Sequence, residues 1–397
     1  MSAGRNHDDI ARLGDVRRGI VETPHTTPAR NRRALSMNPQ AIGIDSGRLA
    51  KAYELLDGAH AAGQLPGASL LVARGGVPLA PHCVGRKYFD RDDPVTPDTV
   101  FLTASVSKPV TVSAAMLLVE RGKIRLDQPA CDVLPALANR GKEAILVRHL
   151  MTHTSGLPDM LPDNEQLRRE HQPLSEFVRR MCALDLLFAP GARISYQSCG
   201  TAILGAIVEE VEGEPLPEFL RREVFEPLSM TGTSLGVRDD LASRIAHVNV
   251  GPGGCDTDWG WNTPYWWGFG APWGGMFSTV SDIARFLGAF LDPRTGPFSP
   301  ATVTAMTTDQ TTSMPTIPPE QRHGQVWGLG WRIQPVAGSC YGDLASPGTF
   351  GHHGATGTVV WADPVRDMVC ALFTTQPHST SAPLLSRCCN LVAASAL

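Results

Sequence analysis

The chain has 397 residues, 42% hydrophobic and 19% charged, with a formal net charge of −4. That composition supports a globular core in two structural lobes, and it offers neither a basic surface for nucleic acid nor the run of about twenty apolar residues that a membrane span needs. The nine cysteines are odd in number and scattered without C-x-x-C spacing, which disfavours a disulfide framework and fits a reducing cytoplasm.

In chain order, residues 1–43 are polar, arginine-rich and proline-containing, without an apolar signal core, and read as a disordered tail. Residues 44–397 then read as one domain, with an α/β lobe over about 44–104 and 320–397 and a helical lobe over about 105–319. Asp45 or Ser46 caps a helix to about Ala62, stopped by Gly63 and Pro66. Strands follow at Ala68 to Val72 and Pro78 to Val84 around a Gly75-Gly76 turn. An apolar run from Val110 to Val119, stopped at Arg121-Gly122, predicts a buried helix. Further helices are expected at about 174–185, 199–212, 215–224 and 279–291. Strands are expected at Leu329 to Ile333, Thr358 to Ala362 and Met368 to Phe373, and a closing helix at about 382–396. Strands near both chain ends imply a single antiparallel sheet built from both, flanked by helices, with a mostly helical lobe inserted: an α/β (α+β) fold. Residues 251–275 hold five of the eight tryptophans. Of these, Trp266, Trp267 and Trp273 are candidates to wall an apolar pocket, with packing onto the core as the alternative.

Three stretches carry chemistry. Ser105-Val106-Ser107-Lys108 reads S-x-x-K at the start of the buried helix. Ser105 and Lys108, three apart, share a helix face, whereas Ser107 and Lys108 do not. A serine hydroxyl needs a base beside it, and a lysine one turn away can serve. Tyr196-Gln197-Ser198 precedes a second helix. Tyrosine and lysine start with pKa values of roughly 10 and 10.4, so a tyrosine beside an ammonium is expected to move toward phenolate. Finally, His352-His353-Gly354-Ala355 stands among small residues immediately before a strand, where the Ala355 N–H can join that of Ser105 as an oxyanion donor. No metal or cofactor is expected, since Leu150 stands where the His149/His153 pair would need a glutamate to read H-E-x-x-H. Gly232-Thr233-Ser234-Leu235-Gly236 matches G-x-S-x-G but lacks the strand-to-helix elbow context.

From about Asp45 to the C-terminus the chain resembles the serine β-lactamase-like hydrolases: class C β-lactamases, D-alanyl-D-alanine peptidases of the same fold and family VIII carboxylesterases. The residues that carry the resemblance are Ala104-Ser-Val-Ser-Lys-Pro, Leu150-Met-Thr-His-Thr-Ser-Gly-Leu, Tyr196-x-Ser, Pro227-Leu-Ser-Met, Gly274-Gly-Met-Phe-Ser-Thr and Gly351-His-His-Gly. The resemblance implies Ser105 as nucleophile, Lys108 and Tyr196 jointly as its base, and His352-His353-Gly354 in the place of the family's K-T-G strand. Two departures stand out. Ser198 replaces an asparagine that holds a substrate amide, and His352 replaces a lysine that faces a substrate carboxylate. Both point to a small-molecule ester as substrate, cleaved through an acyl-enzyme. A β-lactamase or D,D-peptidase, an acyltransferase and an inactive ligand-binding relative are the alternatives.

Overall fold

The computed structural model describes residues 38–251, 257–334 and 341–397. The expected tail lies outside them as far as residue 37. From there a 3-10 turn, Pro39–Ile42, leads to Ile44, which bridges Ala396 at the other end of the chain. Helix α1 (Ser46–Ala61) is capped by the Asp45 carboxylate, which accepts from the Gly47 and Arg48 N–H groups. Strand β1 (Gly67–Arg74) follows. The expected second strand is two pieces, β2 (Val77–Pro78) and β3 (His82–Gly85), both paired with β1. Pro78 and Pro81 interrupt it because proline cannot donate to a ladder.

The inserted part begins with β4 (Val100–Leu102) and α2 (Ser107–Glu120). Next come α3 (Val147–Met151), α4 (Asn164–Arg169), α5 (Leu174–Cys182), α6 (Cys199–Glu212) and α7 (Leu216–Leu220). Strands β5 (Ser234–Leu235) and β6 (Ile245–Ala246) precede α8 (Pro264–Phe269), which lies within the tryptophan-rich stretch. Strand β7 (Met276–Ser278), α9 (Val280–Leu291), α10 (Pro300–Thr307) and α11 (Pro319–Gly324) complete it. Strands β4 to β7 form a small second sheet in the order β5-β7-β4-β6, too short to show a period in the sequence. The chain then returns through β8 (Arg332–Ile333), β9 (Phe350–Gly354), β10 (Thr358–Asp363), β11 (Met368–Thr374) and α12 (His378–Ala394).

The main sheet runs β2-β1-β11-β10-β9-β8, with β3 also on β1, and every neighbouring pair is antiparallel. It draws on both chain ends, as expected. Alternate residues face opposite cores. Leu70, Val72, Val359 and Trp361 pack with α1 and α12, while Leu71, Ala73, Val360 and Ala362 face the inserted helices. With both faces covered, these strands read as continuous apolar runs.

The elements meet at the turn before α2. Ala104–Val106 is a 3-10 turn, and the Thr103 hydroxyl and N–H both donate to the Met276 carbonyl of β7, at 2.9 Å. The end of β9 lies flush against the same turn from the other side. The Thr358 and Thr356 hydroxyls donate to the carbonyls of Thr103 (2.8 Å) and Leu102 (2.6 Å). A Cβ at Gly354 would fall 2.2 Å from the Thr103 carbonyl oxygen, so only glycine permits this approach. Gly354→Ala is therefore expected to push strand and turn apart and to cost about 1–3 kcal/mol of stability. Thermal unfolding and turnover of the variant check it; a protein that melts and works like wild type would show that the close approach is dispensable.

Candidate active site

Ser105 sits in the 3-10 turn, and Lys108 lies one turn on, inside α2. The Lys108 Nζ is 3.1 Å from Ser105 Oγ and 3.0 Å from the Trp273 carbonyl oxygen. The lysine is 1% exposed. Burial lowers its pKa from 10.5 to about 7, with Asp159 and Cys199 pulling the other way. It is thus an amine that spends much of its time unprotonated at neutral pH, in contact with one hydroxyl. Ser107 serves the backbone instead. Its hydroxyl donates to the Ala104 carbonyl (2.6 Å) and accepts from the Met276 N–H (3.0 Å), pinning the turn to β7. The choice of Ser105 over Ser107 from helical spacing agrees with this geometry.

Tyr196 joins the pair. Its ring centre is 4.7 Å from Lys108 Nζ, and a hydrogen bond links its side chain to that of Ser105. One expectation is corrected. Burial raises Tyr196 well above the usual tyrosine range, against the lowering effects of the Ser105 hydrogen bond and Arg332. No permanent ammonium drives it toward phenolate, because burial has neutralised much of Lys108 as well. Tyr196 is therefore a phenol that can relay or donate a proton, and the unprotonated Lys108 amine is placed to accept one from Ser105. His153 holds it in place. That ring lies 4.7 Å from Tyr196 and 4.3 Å from Trp327, and its Nδ1 accepts from the Gln197 N–H at 3.2 Å. Burial, helped by the charges of Lys108 and Arg332, lowers His153 to about 3.

His352 and His353 lie on strand β9 itself rather than before a strand. His352 faces Tyr196, with ring centres 6.0 Å apart. Its Nδ1 donates to the His353 carbonyl at 2.8 Å, which leaves a buried Nε2 with no partner. Burial, His353 and Lys108 hold it well below the usual histidine range. His353 faces the other way and stacks on His378 at the head of α12, 4.5 Å between centres. Burial and His378 lower His353 to about 3. Ala355 turns off the end of β9, exposed, and its carbonyl accepts from the His378 N–H at 2.9 Å. Ser198 is buried at the head of α6, its N–H donating to the Asp159 carboxylate at 2.8 Å.

Of the two readings of the tryptophans, packing describes Trp266 and Trp267. Trp266 is turned into the helical lobe, with the Arg168 guanidinium 4.4 Å from its ring centre and Phe269 stacked on it. Trp267 packs within its own loop, where its indole N–H donates to the Trp261 carbonyl at 3.1 Å. Trp273 alone of the three reaches the lysine, and does so through its carbonyl. Ser234 lies in β5 with its hydroxyl donating to the Gly236 carbonyl, away from any elbow. His149 accepts from the Leu146 N–H at the start of α3. The sequence reading missed four contributors: His153, Asp159, Trp327 and Arg332. His153 alone had a signal, within the quoted Thr-His-Thr-Ser-Gly stretch.

The family model described as Beta-lactamase matches residues 53–387. Protein Rv1367c of Mycobacterium tuberculosis is 30% identical over 356 residues, covering 78% of this chain and 85% of the relative. Esterase EstB of Burkholderia gladioli is 34% identical over 213 residues, covering 50% of this chain and 54% of EstB. Among solved structures, EstCE1, described as a hydrolase with promiscuous acyltransferase activity, superposes with a TM-score of 0.73 at 22% identity, covering 87% of this chain and 99% of that one.

The amine makes a pH prediction. The unprotonated fraction of Lys108 grows as pH rises through about 7, while His153 and His353 stay neutral over that range. The rate of attack by Ser105, read as kcat/KM, should therefore climb with pH around 7 and level off above it. Asp159 raises Lys108, so Asp159→Asn should move the midpoint of the climb to lower pH. A pH–rate profile of both proteins checks this, and an unmoved or upward-moving midpoint would contradict it.

Proposed function

Because the chain belongs to the Beta-lactamase family, we propose that it is a serine hydrolase that cleaves carboxylic esters through an acyl-enzyme on Ser105. The observation that carries the reading is the buried, depressed-pKa Lys108 amine 3.1 Å from the Ser105 hydroxyl. Lys108 takes the Ser105 proton as Oγ attacks the ester carbonyl. The backbone N–H groups of Ser105 and Ala355 hold the oxyanion, on either side of the Thr103–Gly354 contact. The C–O bond to the alcohol then breaks, and the proton passes through Tyr196 to the departing oxygen. Water adds to the acyl-enzyme by the same relay in reverse, giving the acid and restoring Ser105.

Esters are favoured over amides and lactams on chemical grounds. An alcohol leaves with less protonation than an amine. Ser198 is short and buried, with its N–H committed to Asp159, and offers no long amide in place of the asparagine. The absence of one such hydrogen bond costs ~0.5–1.5 kcal/mol, a factor of about two to ten. The esterase relative EstB points the same way.

Ser105→Ala should abolish hydrolysis of p-nitrophenyl acetate and butyrate and labelling by a fluorophosphonate, a loss of the order of 10⁶-fold. Ser234→Ala should retain both. Lys108→Ala and Tyr196→Phe should each lower kcat by roughly 10²–10⁴ and combine far less than additively, since both act on one hydroxyl. Wild-type kcat/KM on the short esters should exceed that on nitrocefin by about tenfold or more. A wild-type protein that cleaves nitrocefin faster than the esters would replace the ester reading with a lactamase one.

A further inference from the structure

A cleft opens on the helical lobe, and neither Ser105, Lys108 nor Tyr196 lines it. It holds about 510 Å³ between α5, α6, α7 and the turn that follows α8. A volume of this size suits a small organic molecule. Its deep walls are apolar: Ala202 and Gly205 of α6, Leu216 of α7, Phe269 and Pro272 are all buried. The hollow follows from the sequence. α6 turns residues 202, 205 and 206 toward it, one helix face, and these are alanine, glycine and alanine, too small to fill the space.

One charged group interrupts these walls. Glu209, the next residue of the same face, is half-buried at the edge of the cleft. One of its carboxylate oxygens accepts from the Leu216 N–H at 2.9 Å. The other has no hydrogen bond, and the group makes no ion pair, among the described residues. Glutamates close to it in sequence and on α5 are matched: Glu212 with Lys123, Glu214 with Arg222, and Glu176 with Arg179 and Arg180. A carboxylate partly withdrawn from water without a cation is costly, and a cation set against its free oxygen would gain a charged hydrogen bond.

We propose that this cleft is a second ligand site, taking a small amphiphilic amine with its apolar body against Phe269 and Pro272 and its ammonium on Glu209, and that its occupancy is felt at Lys108. The link is a short one. The Phe269 ring meets that of Trp273 edge-on, with centres 5.9 Å apart, and Pro272 immediately precedes Trp273, whose carbonyl accepts from Lys108. The Pro272 carbonyl is itself bonded to the Thr111 hydroxyl of α2. An occupant pressing on Phe269 and Pro272 therefore moves the acceptor that holds the lysine.

The probes are 4-phenylbutylamine, 4-phenylbutanol and 4-phenylbutyrate, which share one apolar body and differ in charge. By calorimetry the wild-type protein should bind the amine about fivefold or more tighter than the alcohol, the worth of a half-exposed ion pair, and the carboxylate more weakly than either. Glu209→Gln keeps an acceptor for the Leu216 N–H and removes the charge, so it should bring the amine to the level of the alcohol. A Cβ at Gly268, in the wall formed by α8, would meet nothing within 4 Å. Gly268→Leu combined with Ala206→Leu therefore narrows the cleft from two sides and should weaken the amine and the alcohol alike; melting curves establish that each variant is folded. A wild-type protein that does not bind the amine, a preference that persists in folded Glu209→Gln, or binding unchanged in the folded double variant overturns the site. The coupling is read as the rate at which a fluorophosphonate labels Ser105. Saturating amine should change that rate by about twofold or more in the wild type and leave it unchanged in the double variant. An unchanged wild-type rate overturns the coupling. This arm rests on Ser105 as nucleophile and not on the ester reading, so the two fail separately. A protein that never labels refutes the nucleophile and the coupling together, and calorimetry still decides the site.

Discussion

An amine kept out of water beside a hydroxyl is the condition that the surrounding structure serves. Twelve of the fourteen residues of α2 are buried, Lys108 among them. Asp159 acts on it only from beyond ion-pair distance, and its two hydrogen bonds are to the Ser105 hydroxyl and the Trp273 carbonyl. A charge in such a place is expensive, so the group gives up its proton at a pH where a surface lysine would not. The carbonyl must then be held to the lysine. The Thr111 hydroxyl of α2 donates to the adjacent Pro272 carbonyl at 2.7 Å, and Gly205 of α6 leaves the room that Pro272 occupies. At Gly275 a Cβ would meet the Ala271 nitrogen at 2.4 Å, so the loop can fold back on itself only with glycine there. Two helices and a glycine-rich turn thus converge on one nitrogen atom.

The same scarcity of water explains the histidines. His153, His352 and His353 stand near Lys108 and Arg332, and a further cation would be both desolvated and repelled. All three are held neutral: His153 accepts a hydrogen bond, His352 donates one, and His353 stacks on His378. His352 in the place of a lysine is therefore more than a weaker charge. Its ring offers a bare Nε2 toward the Tyr196 side, where a lysine would offer only donors. Tyr196, pushed by burial well above the usual tyrosine range, remains a phenol and is suited to pass a proton rather than to hold a negative charge.

The sequence made the periodic parts legible. β1, β10 and β11 carry long apolar runs, α2 has a stop signal at Gly122, and Ser105 and Lys108 are separated by the helical three, so each followed from local rules. What stayed hidden depended on distant partners. β5 and β6 are two residues long and β4 and β7 three, and nothing periodic fits in such lengths. The state of Tyr196 could not be read from its neighbourhood to Lys108 alone, because burial acts on both groups and reverses the expected direction. Arg332 was visible only as part of an anticipated strand, since its influence on Tyr196 and His153 is a property of the assembled sheet. Composition left the tryptophans open between pocket wall and packing, and the assembled lobe decides for Trp266, which fills a gap against Phe269 and Arg168.

Local preference and tertiary structure disagree at two residues of the site. Ala104 and His153 both have positive φ, 46° and 60°, a region that costs a residue with a Cβ about 1–2 kcal/mol. Each is over-determined by its surroundings. The Ala104 carbonyl accepts from Ser107, and Thr103 before it is held by Met276 of β7 and Thr358 of β10. The His153 carbonyl accepts from the Ser195 N–H at 2.8 Å while its ring accepts from Gln197. These are the residues immediately before Ser105 and immediately against Tyr196. Bonds from other parts of the chain offset the strain. The positions of the hydroxyl and the phenol are therefore set by the meeting of β7, β9 and α6, and not by the turns on which they sit.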